Sequence, residues 1–104
     1  MNPIIERLAE RIRETYQPER IVLFGSHARG TADEESDIDL LIVKETEQPF
    51  HKRWAEVAAL IQPVAEGRDV APFVLTPGEV EERLRRGDQF VEEILTKGEV
   101  LYAA

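Results

Sequence analysis

Cysteine is missing from the chain, which excludes disulfides and thiolate metal sites. Long apolar runs are missing too: nothing approaches the ~20 residues of a membrane-spanning helix. The opening Met1-Asn2-Pro3-Ile4-Ile5-Glu6 lacks the basic start and apolar stretch of a secretory leader, so a cytoplasmic protein without a membrane partner is expected. Positive charge is scarce, with 13 Lys and Arg against 21 Asp and Glu and a formal net charge of −8. Gripping a nucleic-acid backbone needs an excess of cations on some face, so strong nucleic-acid binding is not expected. The charge does not forbid a metal-bound nucleotide. With 104 residues and no repeat or linker, residues 1–104 are expected to form a single domain around one core.

What is present is ordinary globular material, 42% hydrophobic and 33% charged, with clear punctuation. Asn2 caps a first helix with Pro3 at its first position, and Ile4, Leu8, Ile12 and Tyr16 recur on one face until Gln17-Pro18 ends it. Arg20 to Phe24 reads as a strand, and Thr31 to Glu35 as an acidic loop. Pro49 starts a helix on which Phe50, Trp54, Val57, Ala58 and Ile61 form a stripe expected in the core, with His51 solvated. Gly67-Arg68 leads into a strand from Asp69 to Leu75. Thr76-Pro77-Gly78-Glu79 combines an N-cap, a proline and a capping-box glutamate. Gly87 closes that helix, Asp88 caps a last one through Lys97, and Gly98 releases the chain into Val100-Leu101-Tyr102. The order fits an α/β (α+β) sandwich, a small mixed sheet flanked by helices.

The chemistry concentrates in two stretches. Leu23-Phe24-Gly25-Ser26-His27-Ala28-Arg29-Gly30 reads as a strand running into a glycine-rich turn, and Ser36-Asp37-Ile38-Asp39-Leu40-Leu41-Ile42-Val43 as a strand opening with two carboxylates. Alternation along a strand turns Asp37 and Asp39 the same way, with Cα atoms about 6.6 Å apart. Ile38, Leu40 and Ile42 then take the opposite face, while Leu41 and Val43 continue the carboxylate face under cover. Two such carboxylates repel unless a cation joins them, and Mg²⁺ suits the pair because it leaves positions free for water and phosphate oxygens. The backbone at Gly25, the Ser26 hydroxyl and the Arg29 side chain are the candidate phosphate contacts.

Gly25-Ser26, ten intervening residues and Asp37-Ile38-Asp39 together resemble the signature of the DNA polymerase β-type nucleotidyltransferase superfamily, in particular its minimal nucleotidyltransferase (MNT) branch. Val74-Leu75-Thr76-Pro77 and Gly98-Glu99-Val100-Leu101-Tyr102 also resemble MNT sequences. The resemblance implies the nucleotidyltransferase fold, with Gly25, Ser26 and Arg29 at the nucleotide and Asp37 and Asp39 on Mg²⁺ or Mn²⁺. The implied substrate is ATP or another nucleoside triphosphate. It further implies transfer of a nucleoside monophosphate to a hydroxyl on a HEPN-domain toxin partner, the chain acting as an MntA-like antitoxin; a homo-oligomer is left open.

One position departs from the family pattern. The third carboxylate of the metal site falls at Ala71, which cannot bind a metal. Asp69 lies two residues earlier, on the same side by alternation, and is the candidate replacement in the catalytic set if the strand shifts by a pleat; otherwise it is a turn residue. His27 is expected to be an exposed, non-catalytic imidazole. The Ala71 departure keeps a second reading open, a catalytically degenerate module that neutralises its HEPN partner by direct contact. A polymerase or tailing enzyme is the least favoured reading, since the chain is acidic and lacks a template- or primer-binding domain.

Overall fold

Helix α1 (Pro3–Tyr16) starts where the Asn2 side chain accepts from the Ile4 N–H at 2.8 Å and stops at Gln17, whose left-handed backbone turns the chain toward Pro18. A computed structural model describes residues 2–33 and 35–104. Met1 of the expected N-terminal reading and Glu34 of the acidic loop lie outside the described residues. After α1 come β1 (Arg20–Phe24), the single turn α2 (Ser26–Arg29), β2 (Ile38–Val43), α3 (Phe50–Ile61), a 3₁₀ turn (Gln62–Val64), β3 (Val70–Leu75), α4 (Pro77–Arg85), α5 (Gln89–Lys97) and β4 (Glu99–Ala103). The Thr76–Glu79 capping box and the Asp88 N-cap stand where the residue pattern puts them.

The sheet has the order β3-β2-β1-β4. β1 pairs antiparallel with β2 and β4, and β2 pairs parallel with β3, so the sheet is mixed. Its two faces carry separate cores. On one, Ile21, Leu23, Ile38, Leu40, Ile42 and Val74 pack with Ile5, Leu8, Ile12 and Tyr16 of α1 and Val57 and Ile61 of α3. On the other, Val22, Leu41, Val43 and Leu75 pack with Val91 and Ile94 of α5. The expected division of β2 between its faces is observed, and a sheet covered on both sides explains why that strand is apolar almost throughout.

Three expectations need correction. Val100-Leu101-Tyr102, to which the residue pattern assigned no element, is the middle of edge strand β4. The first helix turns Ile5 rather than Ile4 fully inward, Ile4 being half-buried. Trp54 and Phe50 are not core residues: they are 51% and 46% exposed. The inward positions of α3 are Arg53, Val57 and Ile61, and the helix is rotated by one residue because a charge takes the place next to the sheet. Arg53 is buried with every donor group engaged: to Gln48 O at 2.7 Å, Val74 O at 3.3 Å and the Glu79 carboxylate at 2.6 and 3.2 Å. His51 is exposed, as expected.

Candidate functional site

One end of the sheet gathers the C-terminus of β1 and the starts of β2, β3 and β4. Asp39 sits at its centre, paired with Phe24 of β1 on one side and Ala71 of β3 on the other. Just beyond Phe24 the chain turns at Gly25. Gly25 has φ +73 and ψ −154, a region essentially confined to glycine. A Cβ there would land on Asp39 Oδ2 and lie 3.2 Å from its Cγ, so the bare glycine backbone is what lets the Asp39 carboxylate lie against the turn. The N–H groups of Ser26 and His27 start α2 and have no carbonyl inside it to donate to; those of Ala28 and Arg29 donate to Gly25 O at 3.2 and 3.1 Å.

Asp39 is half-buried. Burial pushes its carboxyl above the usual aspartate range, the neighbouring Asp37 charge pushes it further, and His27 and Arg29 pull the other way. Asp37 is exposed and immediately precedes β2. Asp69 is likewise exposed and immediately precedes β3; its carbonyl accepts from the Ile38 N–H at 2.9 Å, which ties the two strand starts together. The strand has not moved by a pleat: Ala71, not Asp69, lies beside Asp39. Among the described residues no group of three or more Asp, Glu, His or Cys side chains converges on one point. Asp37 and Asp39 are the available donors. A hard dication that takes one or two carboxylates fits them, and the raised proton affinity of Asp39 is what a cation would relieve.

His27 differs from expectation. It is half-buried, and its Nε2 lies 3.3 Å from Ser36 O and 3.4 Å from Arg68 Nη2, while Arg68 Nη2 donates to Ser36 O at 3.2 Å. The three residues latch the end of the acidic loop just before Asp37. Arg68 was not visible as a site residue, because its partners lie 32 and 41 residues away.

A cleft of about 410 Å³ opens beside Asp39, with Phe24, Gly25, Ala28, Arg29 and Asp39 on one wall. Ser26 and Asp37 are not part of that wall. The opposite wall is α5, through Phe90, Glu93, Ile94 and Lys97. No motif marks these residues as part of a site. Their spacing of three, four and seven positions was the available signal, since it puts them on one helix face.

A sequence model of the nucleotidyltransferase domain family matches residues 5–101. The chain is 26% identical over 110 aligned residues to "Putative protein adenylyltransferase MJ1305" of Methanocaldococcus jannaschii, covering 98% of this chain and 71% of that protein. Over 25 residues it is 68% identical to "Putative protein adenylyltransferase MJ0141" of the same organism, an alignment spanning 24% of this chain and 25% of that protein. Among solved structures, a "putative nucleotidyltransferase" from Sulfolobus solfataricus superposes with a TM-score of 0.58 at 28% identity, covering 76% of this chain and 69% of the other. A "toxin-antitoxin with AMP-PNP" superposes with a TM-score of 0.65 at 24% identity, covering 95% and 73%, and shares the fold. Among the described residues no helix is long and apolar enough to cross a membrane.

Proposed function

The chain belongs to the nucleotidyltransferase domain family, and from that premise we propose that it binds a nucleoside triphosphate with Mg²⁺ and transfers the nucleoside monophosphate to a hydroxyl of a partner protein. The observation that carries this reading is the Asp39 carboxylate lying against Gly25, where an added side chain would collide with it. In this reading the turn backbone, Ser26 and Arg29 hold phosphate oxygens, and Asp37 and Asp39 hold the metal. Mg²⁺ bound there would neutralise phosphate charge at the α-phosphorus. The acceptor hydroxyl oxygen bonds to that phosphorus as its proton passes to water, the bond from the α-phosphorus to the bridging oxygen breaks and pyrophosphate leaves, positioning supplying much of the rate. ATP is the favoured nucleotide, since two relatives carry names of protein adenylyltransferases. The favoured acceptor is a HEPN-domain toxin, in line with the MNT resemblance and the shared fold of a toxin-antitoxin structure.

Calorimetry with Mg-ATP is the test. Wild type is expected to bind only with Mg²⁺ or Mn²⁺, and the double change Asp37→Asn and Asp39→Asn to abolish that metal dependence while leaving the fold intact. Equal affinity with and without chelator overturns the assignment.

Ala71 beside Asp39 favours a second reading, a catalytically silent module that binds nucleotide and neutralises its partner by contact. Transfer of labelled nucleoside monophosphate to the partner separates the two. If Asp69 supplies the missing base-like function from the strand entrance, Asp69→Ala slows transfer by at least ~100-fold; if it only enters the strand, the variant matches wild type. Wild type that binds Mg-ATP and partner yet transfers nothing leaves the contact reading standing.

A further inference from the structure

α5 crosses the sheet along the same end at which the site lies. Its start is fixed by Phe90, whose ring meets Phe24 edge-on at a centroid distance of 5.7 Å and Phe73 at 6.0 Å. Its finish is fixed by Gly98, where an added Cβ would come within 2.6 Å of Val22 Cγ1 and 2.9 Å of Leu23 O. Phe90 therefore stands over the β3 side of Asp39, and Lys97 stands toward β4 and the Gly25 turn. Phe90, Glu93 and Lys97 all line the cleft and follow one another along about 10 Å of helix at 1.5 Å per residue. An aromatic ring, a carboxylate and a cation in sequence match the polarity of a nucleotide read from base through ribose to phosphates.

Packing on Phe24 and Phe73 accounts for only part of the Phe90 ring. The core on this face closes with Val91 and Ile94, yet Phe90 keeps 54% of its surface exposed while two neighbouring rings fix its orientation. Lys97 and Arg29 share the cleft, and among the described residues neither takes part in an ion pair. In a chain of net charge −8, two cations that stay out of ion pairs although Asp39 and Glu93 line the same cleft fit an anionic occupant.

We propose that α5 is the recognition wall of the nucleotide site: Phe90 stacks the base and Lys97, facing Arg29, takes the terminal phosphates. This rests on the nucleotide reading above and adds to it the side chains that distinguish a nucleotide from bare polyphosphate. A flat ring accepts any base, so the wall selects for the presence of a base rather than its identity.

The experiment titrates Mg-ATP and Mg-tripolyphosphate into wild type, Phe90→Leu, Phe90→Trp and Lys97→Met by calorimetry, with melting curves to confirm folding. Phe90→Leu is expected to weaken Mg-ATP about tenfold or more and to leave tripolyphosphate unchanged, while Phe90→Trp keeps ATP affinity. Lys97→Met is expected to weaken both ligands about tenfold. Wild-type ATP affinity in folded Phe90→Leu or Lys97→Met overturns the proposal and leaves the nucleotide reading in place. Equal losses for ATP and tripolyphosphate in Phe90→Leu overturn the stacking role. Wild type that binds neither ligand overturns both readings together.

Discussion

Gly25 carries the tightest constraint at the site, for two independent reasons. Its backbone occupies a region that side-chain-bearing residues avoid, and its missing Cβ is the space the Asp39 carboxylate fills. Gly25→Ala therefore strains the turn by about 1–3 kcal/mol and drives the carboxylate off the turn. The expected outcome is a folded protein with a lower melting temperature and at least tenfold weaker Mg-ATP binding, measured by thermal denaturation and calorimetry. Gly30→Ala is the control: its φ is also positive, at +76, but nothing lies within 4 Å of an added Cβ, so it should lose stability without losing the ligand. At this scale the sequence was most legible where chemistry is local. Gly25, Arg29 and Asp39 line one cleft without Ser26 and Asp37, because the thirteen residues between Phe24 and Ile38 bring β2 back along β1. The latch of His27, Arg68 and Ser36 was illegible, since nothing in a sequence pairs residues so far apart.

The α3–α4 junction is the clearest case in which an element's orientation follows from one ion pair. Arg53 is 7% exposed at its side chain and Glu79 42%, and Glu79 at the same time closes the α4 capping box through Thr76 N at 2.8 Å. The Arg53 guanidinium holds the Glu79 carboxyl below the usual glutamate range, and the Thr76 backbone hydrogen bond pulls the same way against some burial. A lowered folded-state pKa means that the pair's contribution is complete above the unfolded glutamate value, near 4.5, and is lost as pH falls through the lower folded value. Glu79→Gln is expected to cost about 1–2 kcal/mol near neutral pH, hydrogen bonds to a charge being discounted here for the half-exposed carboxylate. Chemical denaturation at a series of pH values checks this: the gap between variant and wild type should close on acidification, and a gap constant down to pH 3 would contradict the ionic origin. The same pair explains the misread stripe on α3. Apolar periodicity placed Trp54 inside because it weighs hydrophobicity alone, and a buried arginine whose donors are all satisfied outranks it.

The molecule as a whole is a four-stranded sheet between two helical layers, and its two cores were unequally visible. On the α1–α3 side, α1 follows from its periodicity and its Asn2 cap, whereas α3 has no side-chain cap and turns Arg53 inward. The α4–α5 side rests on Val91 and Ile94 of a nine-residue helix. That helix leads into β4, a five-residue edge strand whose three central apolar residues give too short a pattern to recognise and whose Leu101 and Tyr102 pack on the opposite, α1–α3 core. The link between that side and the site is Gly98. Its φ is an ordinary −72, so conformational freedom is not why it is glycine. It is there because the chain leaving α5 must pass against Val22 and Leu23 before β4 can pair with β1. Gly98→Ala would press a methyl group into backbone on both sides, which the packed interior cannot absorb. The expected cost is about 1–3 kcal/mol of overpacking, or roughly 4–8 °C of melting temperature per kcal/mol in a domain near this size. Because relief of that clash must lift the end of α5 or the start of β4, Lys97 moves with it. Mg-tripolyphosphate affinity should therefore fall in Gly98→Ala even at temperatures where the variant is fully folded. An unchanged melting temperature would show that the α5–β4 junction is looser than its contacts imply, and unchanged tripolyphosphate binding in a destabilised variant would separate the junction from the phosphate end of the cleft.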